Sequence, residues 1–217
     1  MANTKEIIKL IDVNIILSQN RSIRIGNISI CKGDKLLFKG PSGSGKTTIF
    51  KTILGFQNFE QGKFLYNGNL VDDRLYWLIR REISYVDQEL SLPSNISVES
   101  FINYVSNLKY SGFDKSRVKQ YFKYFELSEN ILDKKILELS GGEKQRISLI
   151  VSLCLNRNIF VLDEPTSFLD AKLKEKTANL FFNSQYTILV ASHDNVWENY
   201  EFLKKAELIN GKWETLN

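Results

Sequence analysis

The 217-residue chain contains only two cysteines, and they lie far apart in unrelated contexts. Cys31 and Cys154 do not form a CxxC pair, the spacing that is typical of metal and redox sites. We therefore expect two small, buried thiols in a reducing compartment. The scarcity of cysteine argues against a disulfide scaffold, a zinc site and a redox enzyme.

A long apolar run is also missing. The longest uncharged stretch near the middle, ISLIVSLCLN at residues 147–156, is bracketed by Arg146 and Arg157. It is too short for a bilayer span, which needs about 20 apolar residues. The amino end, MANTKEIIKLID, has no apolar core of signal-peptide length, so export is not indicated. We expect a cytosolic protein that does not cross a membrane by itself.

The chain has little excess charge of either sign: it contains 29 basic and 25 acidic residues, which give a net charge of +4. This balance is too mild and too dispersed to indicate nucleic acid as a partner. A hydrophobic content of 43% supports a packed core. No internal repeat, low-complexity tract or long linker is present, so we expect one domain over residues 1–217.

The sequence contains two kinds of strand pattern. Alternating apolar and polar residues in LIDVNIIL and SIRIGNISI, separated by SQNR, predict an antiparallel hairpin. GKFLYNGNLV and ELINGKWE each place Asn-Gly between β-forming residues, which predicts a tight turn. In contrast, KLLF, IFVL and TILVAS are short apolar runs, as expected of strands covered on both faces of a parallel sheet. Together they predict an α/β fold with a mixed sheet.

Residues 90–137 contain no such buried strand, and we expect a helical insert there, between core segments at 1–89 and 138–217. Within it Val118, Tyr121, Phe122 and Phe125 recur at the spacing of one helix face. We expect the aromatic side chains of the insert to pack in the core. They are Phe101, Tyr104, Tyr110, Tyr121, Phe122, Tyr124 and Phe125.

The run GPSGSGKTT follows the predicted strand KLLF and fits the pattern G-x-x-x-x-G-K-[ST]. Glycines let backbone N–H groups turn towards a phosphate, the lysine adds a positive charge, and the following hydroxyl can bind Mg²⁺. We therefore expect a nucleoside triphosphate site. Its residues are Gly40, Pro41, Ser42, Gly43, Ser44, Gly45, Lys46, Thr47 and Thr48.

Two acids, Asp163 and Glu164, follow the buried strand IFVL. Carboxylates at such a place are costly without a cation or a water to act on. Strand alternation sends their side chains in different directions, so Asp163 can hold Mg²⁺ through water while Glu164 takes a proton from the attacking water. A salt-bridged pair at a strand end is the structural alternative.

A second anion-binding device lies far downstream, in ELSGGEKQRISLI. Ser140, Gly141 and Gly142 precede an amphipathic run, which predicts exposed N–H groups at the start of a helix. LSGGEKQR resembles the signature sequence of ATP-binding cassette (ABC) ATPases, and further motifs of that family follow its order along almost the whole chain. Gln88 resembles the Q-loop glutamine, Asp170 ends a D-loop-like SFLD, and His193, the only histidine, resembles the switch histidine.

The resemblance implies a P-loop NTPase core with an antiparallel β subdomain and an inserted helical subdomain. It implies ATP and Mg²⁺ as ligands, with Thr47, Gln88 and Asp163 near the metal, and it adds Gln88 and His193 to Lys46 and Glu164 as catalytic residues. It also implies a head-to-tail homodimer, in which LSGG of one copy covers the γ-phosphate held by the other. Each phosphate device is then half of a site.

Two positions depart from the family. The aromatic residue that stacks on adenine would fall at Leu17, or at Ile16 or Ser18 after a one-residue register shift. Asp87 replaces the proline that usually precedes the glutamine. The sequence offers no physical reason for Asp87.

The function that the resemblance implies is the ATP-hydrolysing subunit of an ABC transporter, which acts on a separately encoded membrane permease at the inner face of the cell membrane. The compact insert is similar to those of bacterial ATPases paired with export permeases for iron or other metals. A soluble ABC ATPase, such as one of iron-sulfur cluster assembly, remains the alternative. The phosphate-binding residues do not indicate which substrate is transported or in which direction.

Overall fold

The computed structural model describes residues 5–200 and 203–216. The first four residues of MANTKEIIKLID, the segment on which the expectation about export rests, lie outside the described residues. Ten strands of this part form one sheet, in the order β5-β4-β1-β2-β10-β9-β3-β8-β7-β6. The strands are β1 Glu6–Ser18, β2 Arg21–Cys31, β3 Lys35–Lys39, β4 Gln61–Tyr66, β5 Asn69–Leu70, β6 Ile83–Val86, β7 Ile159–Asp163, β8 Thr187–Ala191, β9 Leu203–Ile209 and β10 Lys212–Leu216. The α-helices are α1 Lys46–Ile53, α2 Asp73–Glu82, α3 Val98–Asn107, α4 Val118–Tyr124, α5 Gly141–Cys154 and α6 Ala171–Phe182.

The predicted hairpins are confirmed. β1 pairs antiparallel with β2, and Ile15 lies opposite Ile23. β4 pairs with β5 and β9 with β10, also antiparallel. The turns between them have positive φ at both central residues, 49° and 80° at 67–68 and 49° and 75° at 210–211. Asn-Gly adopts this conformation at low cost, which is why it closes these hairpins.

The predicted parallel strands are also confirmed. β3, β8, β7 and β6 lie side by side and parallel, and every residue of β7 and β8 is buried. Side chains of β7 alternate between two apolar clusters: Phe160 and Leu162 face one, and Ile159 and Val161 face the other. The carboxyl ends of these strands therefore meet at one edge of a sheet that is covered on both faces.

Residues 90–137, all of which the structure describes, contain α3, α4 and three short 3-10 helices at Lys115–Arg117, Glu129–Asp133 and Ile136–Glu138. They contribute no strand to the sheet. The predicted apolar face is confirmed, because Val118, Tyr121, Phe122 and Phe125 are all buried in one cluster with α5 and α6. The insert thus packs against α5, the helix that begins within the signature sequence.

Two aromatic residues of the insert are wrongly predicted as core. Tyr104 is 62% exposed and Tyr110 is 54% exposed. Tyr104 lies on α3 away from the face that buries Phe101 and Val105. Tyr110 follows α3 in a left-handed turn with φ 67°, and its ring packs against Trp77 at the surface. Residue type alone therefore predicts burial wrongly for Tyr104, on the exposed side of a helix, and for Tyr110, in an irregular segment without periodicity.

The two cysteines are free thiols; Cys154 is buried and Cys31 is partly buried. Burial raises the pKa of the Cys154 thiol to about 12, so it remains protonated. Over residues 5–200 and 203–216 no helix has the length and apolar character needed to cross a bilayer.

Candidate functional site

The loop of residues 40–45, between β3 and α1, has a backbone that only glycine adopts readily. Gly43 has φ 75° and Gly45, the N-cap of α1, has φ 100°. A Cβ atom on Gly45 would lie 2.3 Å from the Cδ1 atom of Ile23, so β2 packs directly against the loop. The loop and the free N–H groups at the start of α1 therefore form a fixed cradle for an anion.

Lys46 lies beneath this cradle with only 7% of its surface exposed. Its Nζ donates to the carbonyl oxygens of Gly40 at 2.7 Å and Pro41 at 3.2 Å, and lies 3.3 Å from Nε2 of His193. Burial lowers the pKa of Lys46, and the nearby carboxylates of Glu164 and Asp163 oppose that shift. The ammonium group is thus held at the base of the loop, close to the strand-end acids.

Asp163 is the last residue of β7 and is 1% exposed. Burial raises the pKa of its carboxyl group to about 6, while a hydrogen bond with the Thr47 side chain lowers it. Its Oδ2 atom has no hydrogen-bond partner among the described residues. Because an unpaired buried carboxylate oxygen is costly, this atom is suited to a cation or an ordered water.

Glu164 departs from the predicted strand alternation. β7 ends at Asp163, and Glu164 has the left-handed φ of 47°, an unusual backbone that is enriched at functional sites. Its Oε2 accepts from the backbone N–H of His193 at 3.2 Å, and its Oε1 lies 3.5 Å from Nε2 of the same histidine. Both acids consequently face the same cleft, although strand alternation predicts different directions.

A cleft of about 510 Å³ joins these groups. Residues 42–48 form one wall, and Gln88, Asp163, Glu164 and His193 line the rest of it. These side chains follow four parallel strands, whose carboxyl ends meet at one edge. The sheet topology therefore assembles a phosphate-sized cradle, a buried acid and a partly exposed histidine in one place.

Ser167, the first residue of SFLD, also lines the cleft, together with three residues that belong to no sequence motif singled out above: Arg21, Lys174 and Asp194. Asp194 directly follows His193, and its carboxylate accepts from Thr166 Oγ1 and pairs with Lys174. Adjacency to the histidine is the signal that could have identified Asp194. Arg21 belongs to β2, far from every motif, and only the packing of β2 on the loop reveals it.

Several predicted site residues lie outside this cleft. Gly40 and Pro41 line a neighbouring depression that also includes His193. Asp170 caps α6 by accepting from the backbone N–H of Leu173 at 2.9 Å. Leu17, near the end of β1, is 37% exposed. Ser140, Gly141 and Gly142 form the start of α5 and do not line the cleft either.

The start of α5 is capped by its own side chains and is packed against Phe168. Ser140 Oγ accepts from the backbone N–H of Glu143 at 3.2 Å, and the Glu143 carboxylate accepts from the backbone N–H of Ser140 at 2.8 Å. A Cβ atom on Gly141 would lie 3.0 Å from the Phe168 ring, and one on Gly142 would lie 2.9 Å from the Phe168 carbonyl oxygen. The two glycines therefore let the segment after Glu164 lie directly against the signature helix.

Asp87 organises the loop that carries Gln88. Its carboxylate accepts from Ser91 Oγ at 2.8 Å and lies 3.4 Å from the backbone nitrogen of Glu89. Leu90 has the left-handed φ of 48° in the same turn. Aspartate side chains commonly stabilise such turns, so Asp87 fixes this loop by hydrogen bonding where a proline would fix it by ring geometry.

Comparison with known proteins gives a consistent result. A family model described as ABC transporter matches residues 24–167. The carnitine transport ATP-binding protein OpuCA of Listeria monocytogenes is 35% identical over 173 residues, which are 77% of this chain and 44% of that protein. The Fe(3+) ions import ATP-binding protein FbpC of Escherichia coli O157:H7 is 31% identical over 198 residues, 88% of this chain and 56% of that protein. The chain thus spans about half the length of these curated relatives.

Solved structures match the chain over nearly its whole length. A dimeric structure of MJ0796, a bacterial ABC transporter cassette, is 27% identical with a TM-score of 0.79, and the match covers 95% of this chain and 96% of that one. A dimeric post-hydrolysis state of MJ0796 bound to ADP and Pi is 25% identical with a TM-score of 0.79, covering 97% and 98%.

Proposed function

Because this chain belongs to the ABC transporter family, we propose that it is the ATP-binding subunit of an ABC transporter and hydrolyses ATP to drive a separately encoded permease. One observation carries the proposal: a single cleft brings together the phosphate loop, a buried acid, Glu164 and His193. In this proposal the chain acts as one ATPase domain, with core segments at 1–89 and 138–217 and a helical insert at 90–137.

The phosphates of ATP bind at the loop of residues 40–48. Backbone N–H groups at the start of α1 donate to the β-phosphate, and Lys46 moves from its own loop carbonyls to the β and γ oxygens. The ammonium group thereby exchanges two neutral carbonyl acceptors, 2.7 Å and 3.2 Å away, for charged phosphate oxygens, which form stronger hydrogen bonds with it.

The residues present fit Mg²⁺. Asp163 has a buried oxygen without a partner among the described residues, the Thr47 hydroxyl lies beside it, and Gln88 adds an amide oxygen. Mg²⁺ prefers such oxygen ligands and usually takes the remainder from phosphate and water. The bound ion would neutralise charge on the phosphate oxygens.

Glu164 acts as the general base for the attacking water. Its carboxylate is held by the backbone N–H of His193 and lies beside the imidazole of that residue, so its orientation is fixed at the γ-phosphate end of the cleft. His193 in turn contacts Lys46 at 3.3 Å and is exposed enough to reach the γ-phosphate. We assign His193 the role of positioning that phosphate relative to Glu164.

Ser140, Gly141 and Gly142 act on the ATP of a second copy. They start a 14-residue helix, whose first N–H groups and dipole favour a negative charge, yet the cleft of the same chain does not include them. A head-to-tail homodimer supplies the missing phosphate, with two sites formed by residues of both copies. The MJ0796 structures are dimeric, which supports the pairing of two copies.

The permease is the partner that spans the membrane, and this subunit binds it at the inner face near Gln88 and the helical insert. The curated relatives are named for carnitine transport and for Fe(3+) ion import, whereas the similarity to metal-export ATPases stays a prediction. Co-expression with a multi-span protein encoded by an adjacent gene should yield a complex that co-purifies. A complex with only soluble proteins would favour a role outside transport.

Glu164→Gln tests the catalytic part of the proposal. The amide keeps the shape of the side chain but cannot accept the proton, so ATP turnover should fall about 100-fold or more while ATP binding remains. Turnover is measured by phosphate release and binding by calorimetry. Glu175→Gln, on the exposed face of α6, is the matched control. Turnover of the Glu164 variant within a few-fold of wild type would show that another group is the base.

A further inference from the structure

Arg21 lies at the mouth of the cleft, where β2 begins. Its Nη2 atom donates to the carbonyl oxygen of Gly43 at 2.8 Å, and the side chain is exposed. Arg21 takes part in no ion pair within residues 5–200 and 203–216. A hydrogen bond in the plane of the guanidinium leaves both of its flat faces and its other N–H groups free for a ligand.

The packing of the hairpin explains this position. Ile23 lies against Gly45, and Arg21, two residues earlier on the same strand, shares that face by the two-residue alternation of β structure. On β1, Ile15 pairs with Ile23 and Ser18 pairs with Arg21, and the register shifts between Ile16 and Ser18, so Leu17 lies at an irregularity of the strand next to Arg21. The end of the hairpin thus lies beside the phosphate loop, near the place where the nucleoside of a bound nucleotide would join its phosphates.

The cleft offers few planar groups to a base. Among the described residues that line it, only His193 has a ring and only Arg21 has a guanidinium group, and no Phe, Tyr or Trp lines the cleft. His193 is at the opposite end, 3.3 Å from Lys46 and 3.5 Å from Glu164. Only Arg21 is therefore placed to cover a base while the phosphates occupy the loop.

We propose that Arg21 binds the nucleoside half of the bound nucleotide by stacking its guanidinium on the purine ring, in place of an aromatic side chain. This inference rests on the proposed ATP site and identifies how its base is held. Stacking depends on the flat surface that adenine and guanine share, and the N–H groups of arginine also suit the acceptors of guanine. The site should consequently discriminate weakly between the two bases.

Calorimetry with MgADP, MgGDP and magnesium pyrophosphate tests the proposal, because none of these ligands requires turnover or dimerisation. Arg21→Ala should weaken ADP and GDP binding about tenfold each and leave pyrophosphate binding unchanged. Arg21→Lys should behave in the same way, since an ammonium group keeps the charge but has no flat face. Arg24→Ala, on the same strand and away from the cleft, is the matched control and should leave all three affinities unchanged.

Three results would overturn the inference. An equal loss of pyrophosphate and ADP affinity in Arg21→Ala, restored in Arg21→Lys, would show that Arg21 acts on phosphate charge. Unchanged affinities in both variants would show that Arg21 only fastens the loop through Gly43; in both cases the ATP site itself stands. If the wild-type protein binds none of the three ligands, the proposed function fails, and the inference with it. Circular dichroism of each variant checks that the fold is intact.

Discussion

The two anion-binding devices of the chain differ in what surrounds them. The phosphate loop at residues 40–48 faces a cleft whose other walls come from three further strand ends of the same chain. The signature segment at residues 140–142 begins a 14-residue helix, but that cleft does not include it. In a single copy, the phosphate loop is therefore surrounded by side chains from other strands, whereas the signature segment lies outside that cleft.

The polar groups at the two ends are also engaged differently. Lys46 donates to two carbonyls of its own loop, so ATP must compete with these contacts. Ser140 uses an oxygen lone pair to cap its helix, accepting from Glu143, and this leaves its hydroxyl hydrogen free to donate. Helix stability and phosphate recognition are thus compatible at Ser140, because they use opposite ends of the same hydroxyl.

The largest expected effects come from substitutions that disable either the phosphate loop or the signature segment. Lys46→Ala should abolish measurable ATP binding by the monomer, because it removes the cation from the phosphate cradle. Ser140→Arg should leave monomer binding unchanged and reduce turnover about 100-fold or more, since a bulky cation blocks the interface where a second copy presents its γ-phosphate. Calorimetry gives the affinities, and phosphate release gives the turnover.

Light scattering provides the decisive control for this pair. Glu164→Gln with ATP should form a dimer, and adding Ser140→Arg to that variant should keep it monomeric although ATP is still bound. A Ser140→Arg protein that loses ATP affinity as a monomer would place the signature in the same site as Lys46. The division into two half-sites would then be wrong.

The sequence predicts the hairpins, the parallel strands and the residues of the phosphate loop because each depends on local spacing or turn chemistry. It does not predict what depends on the backbone beyond a strand end. Glu164 leaves the alternation of β7 through a left-handed conformation, and Asp87 acquires its role only from a turn around Leu90. Arg21 reaches the cleft through the packing of Ile23 on Gly45, a contact between distant segments that no motif encodes.

A smaller effect on turnover is expected from alanine at Ser140, and it distinguishes helix capping from phosphate recognition by this side chain. Ser97 caps α3 as Ser140 caps α5, each accepting a backbone N–H three residues on, at 3.1 Å and 3.2 Å. Alanine at either position should lower the free energy of unfolding by about 1 kcal/mol, measured by urea titration. Only Ser140→Ala should also slow ATP turnover. Equal loss of turnover in the two variants would mean that stability alone accounts for it, and that the Ser140 hydroxyl does not act on phosphate.

The smallest effect concerns the base at the phosphate-loop end. Leu17 lies at the irregular end of β1, does not line the cleft and lacks an oriented π surface. Leu17→Tyr should tighten binding of ATP only a few-fold if Arg21 already covers one side of the base. In an Arg21→Ala background, the tyrosine would be the only stacking surface, so its gain should approach about tenfold. Calorimetric titration of ATP against the two single variants and the double variant measures this coupling. Equal gains in both backgrounds would show that residues 17 and 21 act independently, and no gain in either would place the base away from the hairpin.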